Sequence, residues 1–319
     1  MPEDAGSTAL KERPRPEATD PRGPDPYGNP DPEWLRIDWA KHRRRLDVGR
    51  TRVNYVEMEP PEGAERDPCA LVFIHGLSGC WQNWLEQVPH FARRHRVIAL
   101  DLPGFGDSPP PPWDVSIRTY GRLLLEFAEA LDLGDCAVIG NSMGGFVAAE
   151  TAIAKPGRFE KIVLCSAAGV STSRLRKRPT AVVARMLAAG APLLFRLQDR
   201  TFRRPRARAR AFAGVVHNPE ELRPELLWEF YTGGNRGSSF ADALTSLAGY
   251  DILDRLEEVE VPTLLVWGRQ DHVVPSADAL EYHRRLANSR LEVFDRCGHL
   301  PMAERPVRFN RLLEEFLAE

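Results

Sequence analysis

The sequence predicts an α/β protein: a mostly parallel sheet flanked by helices and interrupted by an α-helical insertion. Three observations predict it. Short, fully apolar runs alternate with helical stretches, the alternation stops near residue 170 and resumes near 247, and the residues with chemical promise directly follow the apolar runs. A run apolar at every position suits a strand covered by helices on both faces, the condition of strands in a parallel sheet.

In chain order, residues 1–33 hold eight prolines, several acids and almost no large apolar side chain. Such a segment has too little to bury to offset its ordering entropy, so an unstructured tail is expected. Two strand patterns, Arg45 to Val48 and Arg52 to Met58 with Gly49 at the turn, read as a hairpin at the edge of the sheet. The apolar runs begin at Ala70, Val97, Ala137, Lys161, Thr263 and Leu291. Ile117 to Leu131 places Tyr120, Leu124, Phe127, Ala128 and Leu131 on one helical stripe, and Phe309 to Leu317 forms a last helix with Phe309, Leu312, Leu313 and Phe316 inward. Strand and helix in this order call for right-handed crossovers. The core is thus expected over 34–170 and 247–319, with the insertion over 171–246.

Composition bounds the function. The 319 residues are 43% hydrophobic and 28% charged, with a formal net charge of -2, so nothing global points to nucleic acid as a partner. No run of eighteen apolar residues predicts a membrane-spanning helix. Met1-Pro2-Glu3-Asp4 lacks the basic start and apolar core of a secretory signal. Cys69, Cys80, Cys136, Cys165 and Cys297 are odd in number and scattered, which reads as buried free thiols. Together these features lead to the expectation of a cytoplasmic protein.

The chemistry begins at Gly140-Asn141-Ser142-Met143-Gly144-Gly145, between the run Ala137 to Ile139 and a helix-forming stretch, Phe146 to Ala154. G-x-S-x-G between strand and helix is the pattern of a nucleophile held on a sharp turn, where a Cβ at either glycine would clash. The bland alternative is a glycine-rich turn whose serine only caps the helix. His75-Gly76-Leu77 follows the run Ala70 to Ile74, and Asp101-Leu-Pro-Gly-Phe-Gly-Asp-Ser108 follows the next. His75 and Asp101 are assigned structural work.

This succession of strand, HG loop, D-x-x-G-x-G-x-S turn and G-x-S-x-G elbow resembles the α/β-hydrolase superfamily, in its compact capped branch, over residues 45–319. The resemblance implies an acid and then a histidine, each after a strand. Asp271 follows Thr263 to Trp267, and His299 follows Leu291 to Phe294. It also implies an oxyanion hole from the backbone N–H groups of Leu77 and Met143; loss of one such donor typically costs roughly 3–4 kcal/mol of transition-state stabilisation. Ser142 would attack an acyl carbonyl, His299 would take its proton, and Asp271 would fix the imidazole tautomer. Neither metal nor organic cofactor is required by this chemistry.

The departures narrow the reaction. Relatives that open epoxides or cleave carbon–halogen bonds carry an aspartate where this chain has Ser142. The carbon–carbon hydrolases of aromatic degradation share the elbow but usually carry a glycine-rich oxyanion loop and a tryptophan after the histidine; here Leu77-Ser78-Gly79 and Leu300 stand there. Hydrolysis of a small-molecule carboxylic ester is the resulting expectation, with carbon–carbon hydrolysis and acyl transfer as alternatives. A non-enzymatic receptor is disfavoured by the complete triad. Trp81 and Trp84 are candidates for an acyl or aryl pocket, with core packing as the other reading. From Ser171 to Phe212 twelve basic residues face one acid, Asp199, around the apolar stretch Thr180 to Leu197. That pattern suits either a lid receptive to anionic substrates or a membrane surface, or an ordinary cap with solvated arginines.

Overall fold

The computed structural model describes residues 15–186, 204–234 and 238–319. Eight strands form one sheet: β1 (Arg43–Val48), β2 (Thr51–Met58), β3 (Ala70–Ile74), β4 (Val97–Leu100), β5 (Cys136–Asn141), β6 (Lys161–Cys165), β7 (Thr263–Gly268) and β8 (Ser289–Phe294). They lie in the order β1-β2-β4-β3-β5-β6-β7-β8. The hairpin β1–β2 and the β2–β4 pair are antiparallel, and every other neighbour is parallel. β3, β4, β5, β6 and β7 are buried at every position, as their predominantly apolar runs require.

Helices cover both faces. α1 (Val88–Phe91) and α10 (Pro306–Ala318) lie over one face, and α2 (Ile117–Ala130) and α3 (Met143–Ala154) over the other. Tyr120, Leu124, Phe127 and Ala128 of α2 are buried as their spacing demands, and its Ser116 N-cap accepts the Thr119 N–H. α8 (Ala277–Arg285) and the short α9 (Pro301–Glu304) complete the core. Between β6 and β7 the described residues hold helices and no strand: α4 over 177–186, α5 (Pro205–Phe212), α6 (Pro224–Gly234) and α7 (Phe240–Leu247). Much of the stretch Thr180 to Leu197, with Asp199, lies outside the described residues.

The unstructured tail expected over 1–33 is corrected for 15–33. There the chain lies along the core: the Thr19 N–H donates to the Val293 carbonyl and Thr19 Oγ1 accepts the Val293 N–H, at 2.8 and 3.0 Å. These bonds occupy the outer edge of β8, which would otherwise present unpaired backbone. Asp25 faces Arg305 and Arg308, the Gly28 N–H donates to the Glu304 carbonyl, and Asn29 donates to Glu86. The expectation weighed only the segment's apolar content. What orders it is a series of polar partners already fixed on the core, an attraction that composition does not display. All five cysteines are free and buried.

Candidate active site

The site is assembled at the C-terminal ends of β3, β5, β7 and β8, the edge where open α/β sheets build ligand sites. β5 runs into Ser142, whose backbone sits at φ 54°, ψ -113° before α3 begins. That conformation is costly for a residue with a Cβ and persists only where its surroundings fix it. The Ser142 N–H donates to the Cys165 carbonyl and its own carbonyl accepts from Ala168 and Phe146. The flanking glycines are sterically obligatory. A Cβ on Gly140 would stand 2.3 Å from the Gly144 carbonyl oxygen, and one on Gly144 would stand 2.4 Å from that of Ile74.

His299 and Asp271 meet across the ends of β7 and β8. His299 Nδ1 lies 2.8 Å from Asp271 Oδ2, with both side chains shielded from solvent. Asp271 Oδ1 accepts the N–H groups of Val273 and Val274, so the carboxylate is held from both sides. A carboxylate only accepts; in the neutral ring Nδ1 therefore carries the proton and Nε2 the lone pair. Ser142 and His299 line one cavity of 420 Å³.

Leu77 lines that cavity, and Gly76 presses so closely on the elbow that a Cβ there would lie 2.9 Å from Ser142 Cβ. Met143 is the first residue of α3, so its backbone N–H has no acceptor within the helix, while its side chain lies in the core. His75 does structural work. Its Nε2 accepts the Leu102 N–H at 3.0 Å, which leaves Nδ1 to donate to the Gly76 carbonyl at 2.7 Å. Burial lowers its pKa to about 4, so it stays neutral. Asp101 accepts from the Trp81 and Asp107 N–H groups and the Asn54 amide, with burial pushing its pKa up to about 6. A Cβ on Gly106 would collide with this carboxyl at 2.2 Å, which explains the glycine in that turn.

Trp81 and Trp84 do not line the cavity, and their candidacy as pocket residues is corrected. Trp84 packs against Phe73 and Phe309, and Trp81 against Trp39, inside the core. They stand three residues apart on one turn of 3-10 helix, a spacing that turns both side chains to the same side. The insertion supplies the apolar wall instead, through Leu175, Phe212, Phe230, Phe240 and Leu244, with Leu247 just beyond its end.

Glu304 is the residue sequence reasoning missed. Its fully buried carboxylate accepts the Gly298 and Leu300 N–H groups on either side of His299, the His217 N–H from the insertion, and the Tyr27 hydroxyl from the N-terminal segment. Burial raises its pKa against the pull of those donors. The insertion also grips the histidine directly, because the His299 N–H donates to the Val215 carbonyl at 2.7 Å. No local pattern in the sequence marks it, because its donors stand at Tyr27, His217, Gly298 and Leu300.

Residues 70–306 match the family described as alpha/beta hydrolase fold. The chain belongs to that family. It is 32% identical over 256 residues to the 2-hydroxy-6-oxononadienedioate/2-hydroxy-6-oxononatrienedioate hydrolase of Burkholderia vietnamiensis, covering 78% of this chain and 86% of that one. Among solved structures it resembles a bacterial membrane phospholipase A at 26% identity and a TM-score of 0.66, over 86% of this chain and 85% of the other. An esterase from Exiguobacterium antarcticum shares the fold at 22% identity and a TM-score of 0.71, over 86% and 99% of the two chains. With hydrolases among its relatives, this α/β-hydrolase chain is an enzyme, and no described helix is long and apolar enough to cross a membrane.

Proposed function

We propose that this enzyme is a serine hydrolase cleaving carboxylic esters with an apolar acyl group, and that residues 171–246 act as its cap. The observation that carries the proposal is the single cavity lined by a strained Ser142 and by a His299 whose Nδ1 is bonded to Asp271. Ser142 Oγ attacks the ester carbonyl as His299 Nε2 takes its proton. The Leu77 and Met143 N–H groups receive the developing oxyanion. His299 then protonates the departing alcohol, leaving the acyl group on Ser142. Water, deprotonated by the same imidazole, adds to that acyl carbonyl; the acid leaves, Oγ regains its proton, and the enzyme is restored.

The relative from Burkholderia vietnamiensis supports a second reading, hydrolysis of a carbon–carbon bond in a ring-fission product. Such a dienedioate brings carboxylates, which need a cation or several donors when buried. The described lining of the cavity contains neither lysine nor arginine and is largely apolar. This lining favours a neutral ester. Steady-state turnover of p-nitrophenyl esters of rising chain length, beside a 2-hydroxy-6-oxo-dienoate, separates the two. Ester turnover that Ser142→Ala abolishes, with none of the dienoate, is the expected result. The reverse preference overturns the ester reading, and full turnover by Ser142→Ala overturns the triad.

A further inference from the structure

Most of the large apolar side chains that the described residues expose lie in the insertion or line the cavity. Among the described residues there are seven, and five of them are Leu175, Val182, Val183, Met186 and Val273. Leu175 and Val273 also line the cavity that holds Ser142, so they form part of its mouth. Val182, Val183 and Met186 belong to α4, which begins two residues beyond Leu175.

α4 is inverted relative to an ordinary surface helix. At 100° per residue, Val182, Val183 and Met186 fall on one stripe spanning about 100°, while Ala184 projects from the opposite side. A helix covering a core buries its apolar stripe and exposes the other face. Here Ala184 is fully buried, and Val182, Val183 and Met186 are 59, 53 and 70% exposed. Isolated exposed apolar residues need no explanation, but a contiguous stripe on a helix that starts two residues after the mouth residue Leu175 marks a contact surface.

Charge selects the partner. From 171 to 186 the chain carries Arg174, Arg176, Lys177, Arg178 and Arg185 and no acid, although the whole protein has a net charge of -2. All five side chains are exposed, and none pairs with an acid among the described residues. Arg178 and Arg185 border the apolar stripe, as in helices that lie in a bilayer interface with apolar side chains down and cationic heads spread to the phosphates.

We propose that α4 and the cavity mouth dock on an anionic lipid surface, which presents membrane-borne acyl substrates to the site. The docking rests on the surface alone; only its use in catalysis rests on the hydrolase reading above.

The test is flotation of the full chain with vesicles of equal parts phosphatidylglycerol and phosphatidylcholine, beside vesicles of phosphatidylcholine alone. The chain is expected to float with the anionic vesicles and to be released by raised salt. At about 1 kcal/mol per cation near a charged membrane, Arg178→Gln with Arg185→Gln should weaken binding roughly thirtyfold. Val182→Ser, Val183→Ser and Met186→Ser together should weaken it tenfold or more. These exposed positions touch none of the catalytic groups, so turnover of a soluble short-chain ester should stay at the parent rate. Free sn-glycerol 3-phosphate should not displace the vesicles; displacement would mean a site for the headgroup alone and overturn surface docking. Equal flotation on neutral vesicles, wild-type binding by both variants, or no flotation at all would each overturn it, the last leaving an acidic protein as the occupant to seek. If the chain floats as expected but hydrolyses no ester, the ester reading fails and the docking stands.

Discussion

The two walls of the cavity are built by different physics. The core wall, carrying Ser142, His299 and Leu77, is fixed by glycine contacts that leave no room for a Cβ and by buried carboxyls that take several donors each. The insertion wall, carrying Phe212, Phe230 and Leu244, is apolar, and its polar connection to the histidine loop runs through Val215 and His217. Reacting atoms must be held within tenths of an ångström, which short contacts and hydrogen bonds achieve. An apolar pocket needs only shape and volume, and it tolerates variation. With the function proposed above, this contrast predicts that changes in the core wall act on kcat and changes in the insertion wall act on KM.

The largest expected effect lies in the core wall. Ser142→Ala or His299→Ala should each reduce kcat by roughly 10⁴-fold or more, and the double variant should be little worse than either, because such groups act as a unit. Neither exchange removes a structural hydrogen bond of the Ser142 or His299 side chain other than His299 to Asp271, so melting temperatures should stay close to the parent. Additive losses in the double variant would show that the two residues act independently.

Glu304 tests whether the walls are separable at all, since it bonds to both. Glu304→Ala would leave the buried N–H groups of Gly298, Leu300 and His217 without their acceptor, at a cost on the order of 1–3 kcal/mol for each one that stays dry. We expect a large fall in melting temperature and a kcat loss of about 100-fold at nearly constant KM, with partial recovery in Glu304→Gln. A KM effect of equal size would place Glu304 in substrate binding. Tyr27→Phe should cost about 1 kcal/mol of stability, because the Tyr27 hydroxyl both donates to Glu304 and accepts the Asn218 N–H. The other bonds of the segment add to this, so removing 15–33 should lower the melting temperature further than Tyr27→Phe alone.

How much of this was legible in the sequence depends on whether the signal was local. β3 to β8, α2 and α10 follow from apolar periodicity, and Ser142, Asp271 and His299 each stand just after a strand within a short motif. The family resemblance then placed them in one site. Glu304 was illegible because its donors are scattered over Tyr27, His217, Gly298 and Leu300. The docked segment 15–33 failed for the same reason, its partners being Val293, Glu304 and Arg308 at the far end of the chain. Trp81 and Trp84 were ambiguous because an aromatic near an active loop suits pocket and core equally, and only tertiary packing decides.

The core wall should also be the acid-sensitive one, through His75. Its folded pKa of about 4 lies below the ordinary 6.5 because burial penalises the charged ring. A depressed folded pKa contributes stability above the unfolded value and loses it as pH falls toward the folded one. His75 therefore destabilises the fold progressively from pH 6.5 to 4, by an amount on the order of 3 kcal/mol. Asp101, raised to about 6, has the opposite sign: its contribution is present below the unfolded 3.8 and is lost as pH rises through 6. Chemical denaturation across pH 4–8 should thus show a shallower acid loss in a folded His75→Asn variant than in the parent. Parallel curves would remove His75 from the acid response.

The smallest expected effect is also the one that isolates the insertion wall. Leu244 of α7 lines the cavity and makes no contact by side-chain hydrogen bond, so Leu244→Ala enlarges the apolar volume and leaves the elbow and the histidine loop alone. One or more methylenes in an apolar pocket are worth about 1–3 kcal/mol of discrimination, which sets the scale of the change. For a long-chain p-nitrophenyl ester, KM should rise roughly tenfold while kcat holds, because the lost contact is made equally in ground and transition states. A short-chain ester that does not reach α7 should show neither change, and this is the internal control. If Leu244→Ala lowers kcat for both esters, the insertion helps to set the reacting geometry, and the division between a catalytic wall and a selecting wall fails. The Val215 bond to His299 gives that outcome a physical route, since a shift of α7 could reach the histidine through the rest of the insertion.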